Sequence, residues 1–96
     1  LRVKPIDEIE SLYYFRFSAI DRPGVLSKIS GIFGENQISI ASVIQKGRRV
    51  GEAVPLVILT HRAKEADVKK ALQKIKELDV VKGEPMMIRV EGPEPA

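Results

Sequence analysis

Cysteine is absent from the 96 residues, so neither a disulfide nor a thiolate metal site can form. That absence fits a reducing compartment, and a cytoplasmic location is expected. Histidine occurs once, as His61, which leaves no second imidazole for a metal centre and no Cys–His pair for nucleophilic catalysis. His61 follows an apolar stretch, where a structural role outweighs a catalytic one. No apolar run approaches the roughly 18 residues of a membrane helix, so no membrane partner is expected. A signal-peptide pattern is missing too, and the first residue is Leu1 rather than Met; the expectation is a piece of a longer chain. There is no P-loop. The pair Gly31 and Gly34 lacks the leading glycine of a dinucleotide loop and falls inside a helical pattern. These absences leave no catalytic constellation, no metal site and no cofactor site.

What is present reads as one globular domain with a modest core, 44% apolar and 30% charged. The net charge is +3, with sixteen basic and thirteen acidic residues interspersed. Such mixing makes a solvated surface rather than a nucleic-acid patch. Residues 1–10 mix charge, a proline and the scattered apolar Val3, Ile6 and Ile9, and read as a lead-in or linker. Residues 12–20 read as a strand with Tyr13, Phe15, Phe17 and Ala19 on the core face; Leu12, Tyr14, Arg16 and Ser18 alternate with them.

Asp21-Arg22-Pro23-Gly24 then marks a strand-to-helix turn. Pro23 suits the first helical position, and Gly24 clears the space beside the free N–H groups of the first turn. Those groups and the helix dipole favour an anion. Val25, Leu26, Ile29, Ile32 and Phe33 give the helix one apolar stripe to about Glu35, and Asn36 is expected to end it in a left-handed conformation. Residues 38–46 read as the second strand, 47–51 as a hairpin loop and 54–61 as the third strand, with Pro55 at its start or at a bulge. A second helix over residues 64–78 carries the stripe Val68, Ala71, Leu72, Ile75 and Leu78 and an exposed Glu65–Lys69 pair. A last strand begins at Val80, is interrupted at Lys82-Gly83-Glu84-Pro85 and resumes at Met86; residues 92–96 read as a flexible tail.

The order strand, helix, strand, strand, helix, strand predicts an α+β, ferredoxin-like βαββαβ sandwich. It is a four-stranded, mostly antiparallel sheet in order 4-1-3-2 with two helices on one face. An RNA-recognition motif shares this topology, but Leu56, Val57, Ile58 and Leu59 offer no aromatic for stacking bases. A small acylphosphatase-type enzyme would use Arg22 as anion grip and Asn36 to position water; Asp21 opposes that electrostatically. The third alternative is a small-molecule regulatory module built at the Asp21–Gly24 turn. In the predicted order the second strand lies at a sheet edge, its run Ile38 to Gln45 carries neither charge nor proline, and it invites a second copy as its cover.

Asp21-Arg22-Pro23-Gly24-Val25-Leu26 followed by Ile38-Ser39-Ile40 resembles the ACT domain family of amino-acid-binding regulatory domains. Tyr13 to Phe17, Ser39 to Lys46, Val80 to Gly83 and the lead-in Val3 to Asp7 resemble in particular the C-terminal ACT domains of the homoserine dehydrogenase family. The resemblance implies an ACT regulatory domain over residues 11–91 that is itself no enzyme. It also implies feedback control of threonine biosynthesis by L-threonine or another amino acid. The NAD(P) cofactor would belong only to catalytic domains outside this chain. The implied effector contacts are Asp21, Arg22, Pro23, Gly24, Val25 and Leu26 in one copy, with Asn36, Gln37, Ile38 and Ser39 brought close by a second copy. The implied homodimer interface is Ile38, Ile40, Ala41, Val43 and Gln45. A purely structural dimerisation module is the alternative reading. The sequence departs from the family pattern at Gln37, where glycine is usual, and at Ser39, where many members have asparagine.

Overall fold

The computed structural model describes residues 10–49 and 51–90; the lead-in up to residue 9, Val50 and the tail from residue 91 lie outside the described residues. The elements are β1 (Glu10–Ile20), α1 (Val25–Glu35), β2 (Ile40–Gln45), β3 (Ala53–Thr60), β4 (Ala63–Lys64), α2 (Glu65–Lys76) and β5 (Val81–Val90). β1 pairs antiparallel with β3 on one edge and with β5 on the other, and β2 adds outside β3. Between Tyr14↔Leu59 and Ser11↔Ala63, β1 advances three residues and its partner four, so β4 continues β3 one residue out of step. The Thr60 hydroxyl covers that slip by accepting the Tyr13 N–H at 3.1 Å. With β4 taken as the end of β3, the sheet runs in the expected order, every described pairing being antiparallel.

Alternation decides which face carries the helices. Tyr13, Phe15, Phe17 and Ala19 are buried with Ile29 and Phe33 of α1 and with Val68, Ala71 and Ile75 of α2 in one cluster. Both helices therefore cover the same face. Phe15 and Phe33 meet edge to face, centroids 5.1 Å apart. Residues directly opposed across an antiparallel pair share a face, so Ile44, Val57, Arg16 and Met86 form one row across the helix-free side. Among the described residues, no helix is long and apolar enough to cross a membrane.

Several local expectations are corrected. The helix begins at Val25, not Pro23: Arg22 to Val25 is a tight turn with Gly24 left-handed at φ 86°, closed by Val25 N–H on Arg22 O at 3.3 Å. Proline and then glycine at these positions are what a type II turn demands. At the other end Gln37, not Asn36, is left-handed, with φ 63°. Ile38 N–H bonds Phe33 O at 3.0 Å and Gln37 N–H bonds Gly34 O at 3.1 Å, the two bonds of a Schellman cap, with Phe33 and Ile38 buried together. Asn36 contributes through its side chain, Nδ2 donating to Ile32 O at 2.8 Å. Pro55 stands third in β3, where Lys46 N–H still bonds Pro55 O but β2 has ended, so its missing donor breaks no ladder bond. The interruption at residues 82–85 is a bulge within a continuous β5: β1 advances from Arg16 to Ser18 while β5 spans Met86 to Lys82.

Glu65 is not at the surface, although the Lys69 charge still acts on it. It is 3% exposed, and its Oε1 accepts the Tyr13 hydroxyl at 2.8 Å and Arg89 Nη2 at 2.7 Å. Burial pushes the Glu65 carboxyl up, but the Arg89 and Tyr13 hydrogen bonds and the Arg89 charge hold it below the usual carboxylate value. Burial, aided by the bond to Glu65, pushes the Tyr13 phenol up to about 12.

Two outcomes are expected. Gln37→Gly relieves a left-handed side chain, and a denaturant melt should show a gain of about 0.5–1 kcal/mol once the greater freedom of unfolded glycine is subtracted. Glu65 is depressed in the fold, so its contribution is present above the ordinary value of 4.5 and lost as pH falls below it; Tyr13 is raised, so its contribution fades above pH 10.0. Stability followed against pH should decline on both sides, and Glu65→Ala, which orphans a buried hydroxyl, should cost about 2 kcal/mol at neutral pH and flatten the acid limb.

Candidate functional site

β1 ends at Ile20 and delivers Asp21 to the edge of the sheet beside the β2–β3 loop. The backbone fixes it there: Asp21 N–H bonds Glu52 O and Gly51 N–H bonds Asp21 O, each at 2.8 Å. The carboxylate faces the same loop, Oδ2 accepting Arg49 N–H at 2.9 Å and Arg48 Nε at 3.3 Å. The Asp21 side chain is 10% exposed and that of Arg48 75%, so the acid is held and the guanidinium is free to reach.

A cavity of about 350 Å³ opens against this turn, lined by Asp21, Arg22, Pro23, Gly24, Leu26, Gln45 and Arg48. A smaller cleft shares Asp21, Arg22, Leu26 and Gln45 with it and reaches apolar walls at Val25, Val54 and Leu56. Gln45 Nε2 donates to Gly47 O at 2.8 Å, which leaves its Oε1 as an acceptor. Because Val25 N–H is used in the turn and Lys28 N–H makes the first helical bond, to Gly24 O, the N–H groups of Leu26 and Ser27 have no intrahelical acceptor. No side chain caps this end of α1. The cavity thus offers both charges, backbone donors and an apolar wall. Among the described residues there is no cluster fit to hold a metal ion.

The residues expected at the site divide. Asp21 to Leu26 gather at the cavity, and Leu26, placed in the core stripe by its spacing, is instead 41% exposed and lines it. Asn36, Gln37, Ile38 and Ser39 stand beyond the far end of α1, whose 11 residues make about 16 Å. Within one chain they do not meet the turn. Asn36 and Ile38 are buried in the subunit itself, while Gln37 and Ser39 are exposed. Of the residues expected at the dimer interface, Ile40, Ala41, Val43 and Gln45 lie on β2, which pairs with β3 and, among the described residues, with no other strand; Ile38 lies before it. Arg48 was missed, although the run Lys46-Gly47-Arg48-Arg49 signals a basic loop beside an acidic turn.

A βαββαβ sandwich whose cavity sits at the first strand–helix turn defines a small regulatory-type domain, and the ACT domain family matches residues 13–80; the chain belongs to that family. The relatives it resembles along nearly its whole length are homoserine dehydrogenases. That of Methylobacillus glycogenes is 40% identical over 92 residues, covering 95% of this chain and 22% of the relative. The crystal structure of a homoserine dehydrogenase from Thiobacillus denitrificans superposes with a TM-score of 0.83 at 39% identity, over 94% of this chain and 20% of that one. The ACT domain from the GTP pyrophosphokinase of Chlorobium tepidum shares the fold alone, with a TM-score of 0.66 at 11% identity, covering 83% of this chain and 100% of that one. The chain spans about a fifth of the length of the homoserine dehydrogenases it matches, so the catalytic domains of such enzymes lie outside it.

Asp21→Ala removes the acceptor that pins the β2–β3 loop. Amide exchange at Arg49 should accelerate, with a stability loss of about 1 kcal/mol and an unchanged β1–β3 register, as read by hydrogen exchange and NMR.

Proposed function

We propose that this chain is an effector-sensing ACT domain that binds a free amino acid, with L-threonine the leading candidate, and relays its presence to a homoserine dehydrogenase-type catalytic body. The carrying observation is the cavity at the β1–α1 turn, where an acid, two arginines and the open start of α1 surround an apolar cleft. A free amino acid carries both charges, and a site offering both suits it better than a phosphate. Threonine adds a hydroxyl, for which the Gln45 amide is a partner, and a methyl group, for which Val25, Val54 and Leu56 form a wall.

The assembly that goes with this reading is a homodimer through β2. Ile40–Gln45 carries no charge and no proline, and Val43 and Ile44 are 36% and 46% exposed. An edge without such protection calls for a cover, and the same strand of a second copy supplies it about a two-fold axis. That arrangement carries Gln37 and Ser39 of one copy toward the Asp21 turn of the other, so effector binding and subunit geometry become linked.

Calorimetric titration with threonine, serine, isoleucine and methionine tests the reading, threonine being expected to give the largest response. Gly24→Val forces a branched side chain into φ 86° and should abolish the response. Val43→Lys should lower both the dimer fraction in light scattering and the effector affinity. A native chain that answers none of the four amino acids, or a stable monomer with full affinity, contradicts the respective half of the proposal.

A further inference from the structure

The β2–β3 loop places at the cavity a guanidinium that the strand–helix turn does not supply. Arg48 lines the cavity, and its one hydrogen bond within the described residues is Nε to Asp21 Oδ2, at 3.3 Å. The contact engages the inner nitrogen and, among the described residues, leaves both terminal nitrogens without a hydrogen-bond partner. Asp21 in turn is occupied on Oδ2 by Arg48 and by the Arg49 N–H, which among the described residues leaves Oδ1 as its open oxygen. The ionisable lining is therefore two guanidinium groups against one carboxylate already in use. What the cavity lacks is an anion.

We propose that Arg48 is the specificity-determining residue for the effector's α-carboxylate, and that Asp21 is the positioning residue that aims it. The inference rests on the reading of the cavity as an amino-acid site. A guanidinium anchored through Nε presents its two terminal nitrogens as a planar fork, which matches the two oxygens of a carboxylate. The effector's ammonium then turns to Asp21 Oδ1. The pair of opposite charges already on the wall is answered by the reversed pair on the ligand. On this account the β2–β3 loop, and not the turn alone, selects α-amino acids over amines of the same side chain.

The test compares threonine with threoninamide, which keeps the ammonium, hydroxyl and methyl groups but has no carboxylate. Amide-proton NMR titration of the whole chain reads both affinities into the millimolar range. The native chain is expected to bind threonine at least tenfold more tightly than threoninamide, about the effect of one charged hydrogen bond. Arg48→Ala should weaken threonine about tenfold or more and leave threoninamide unaltered, so that the ratio between them approaches one. Arg48→Lys, with charge but no fork, should fall between the two. The exposed position lets the fold survive, and an unchanged melting midpoint verifies it. Equal weakening of both probes by Arg48→Ala, or weakening of neither, overturns the assignment of Arg48 to the carboxylate while the site stands. If neither probe binds the native chain, the reading of the cavity falls and the inference falls with it.

Discussion

Burial of one face of β1 is the constraint to which the rest of the molecule answers. Tyr13, Phe15, Phe17 and Ala19 present four consecutive apolar steps, and both helices are needed to cover them. Pairing on both edges of β1 then places β3 and β5, and β3 places β2. Each end of the strand is secured by a carboxylate. Near the start, Tyr13 reaches Glu65 at the head of α2, and Arg89 of β5 closes the same oxygen; just past the end, Asp21 holds the β2–β3 loop. Apolar burial sets the layers, and the two acids set where the layers meet.

Much of this was legible in the sequence because it depends on period. The alternation in β1, the stripes of the helices and the Asp-x-Pro-Gly turn are local signals, and the strand order follows from their succession. What was not legible depends on residues far apart in the chain. Nothing near Glu65 announces that it meets Tyr13, 52 residues away, and its i,i+4 lysine points to a solvated pair instead. Asp21 and Arg48 are 27 residues apart and join only once the hairpin folds back. The exchange of roles between Asn36 and Gln37 has a different cause. Asparagine has the better left-handed propensity, but the Schellman geometry needs the residue just before Ile38, whose side chain must join Phe33 in the core.

The same packing explains why the turn, and not some other loop, hosts the cavity. A type II turn opens α1 without a side-chain cap, so its first N–H groups stay available. Leu26 falls on the side of α1 turned away from the core and becomes cavity wall. Residues beyond the far end of α1 reach a turn of this kind only from another subunit, which ties recognition to assembly in the proposed dimer.

The bond from Arg49 N–H to Asp21 Oδ2 has a topological side as well. It spans 28 residues and closes them into a ring, with α1 and β2 inside. Closing such a ring from an open chain costs about 3 kcal/mol in entropy, yet here the pairing of Ile20 with Ala53 has already brought its ends together. The carboxylate has only the last few loop residues left to order. The segment between starts from the end of β1 and returns to the start of β3 at one point, while α1 packs on the core and β2 pairs along β3. That junction fixes the register of β1 against β3 at the same point where the carboxylate holds the loop.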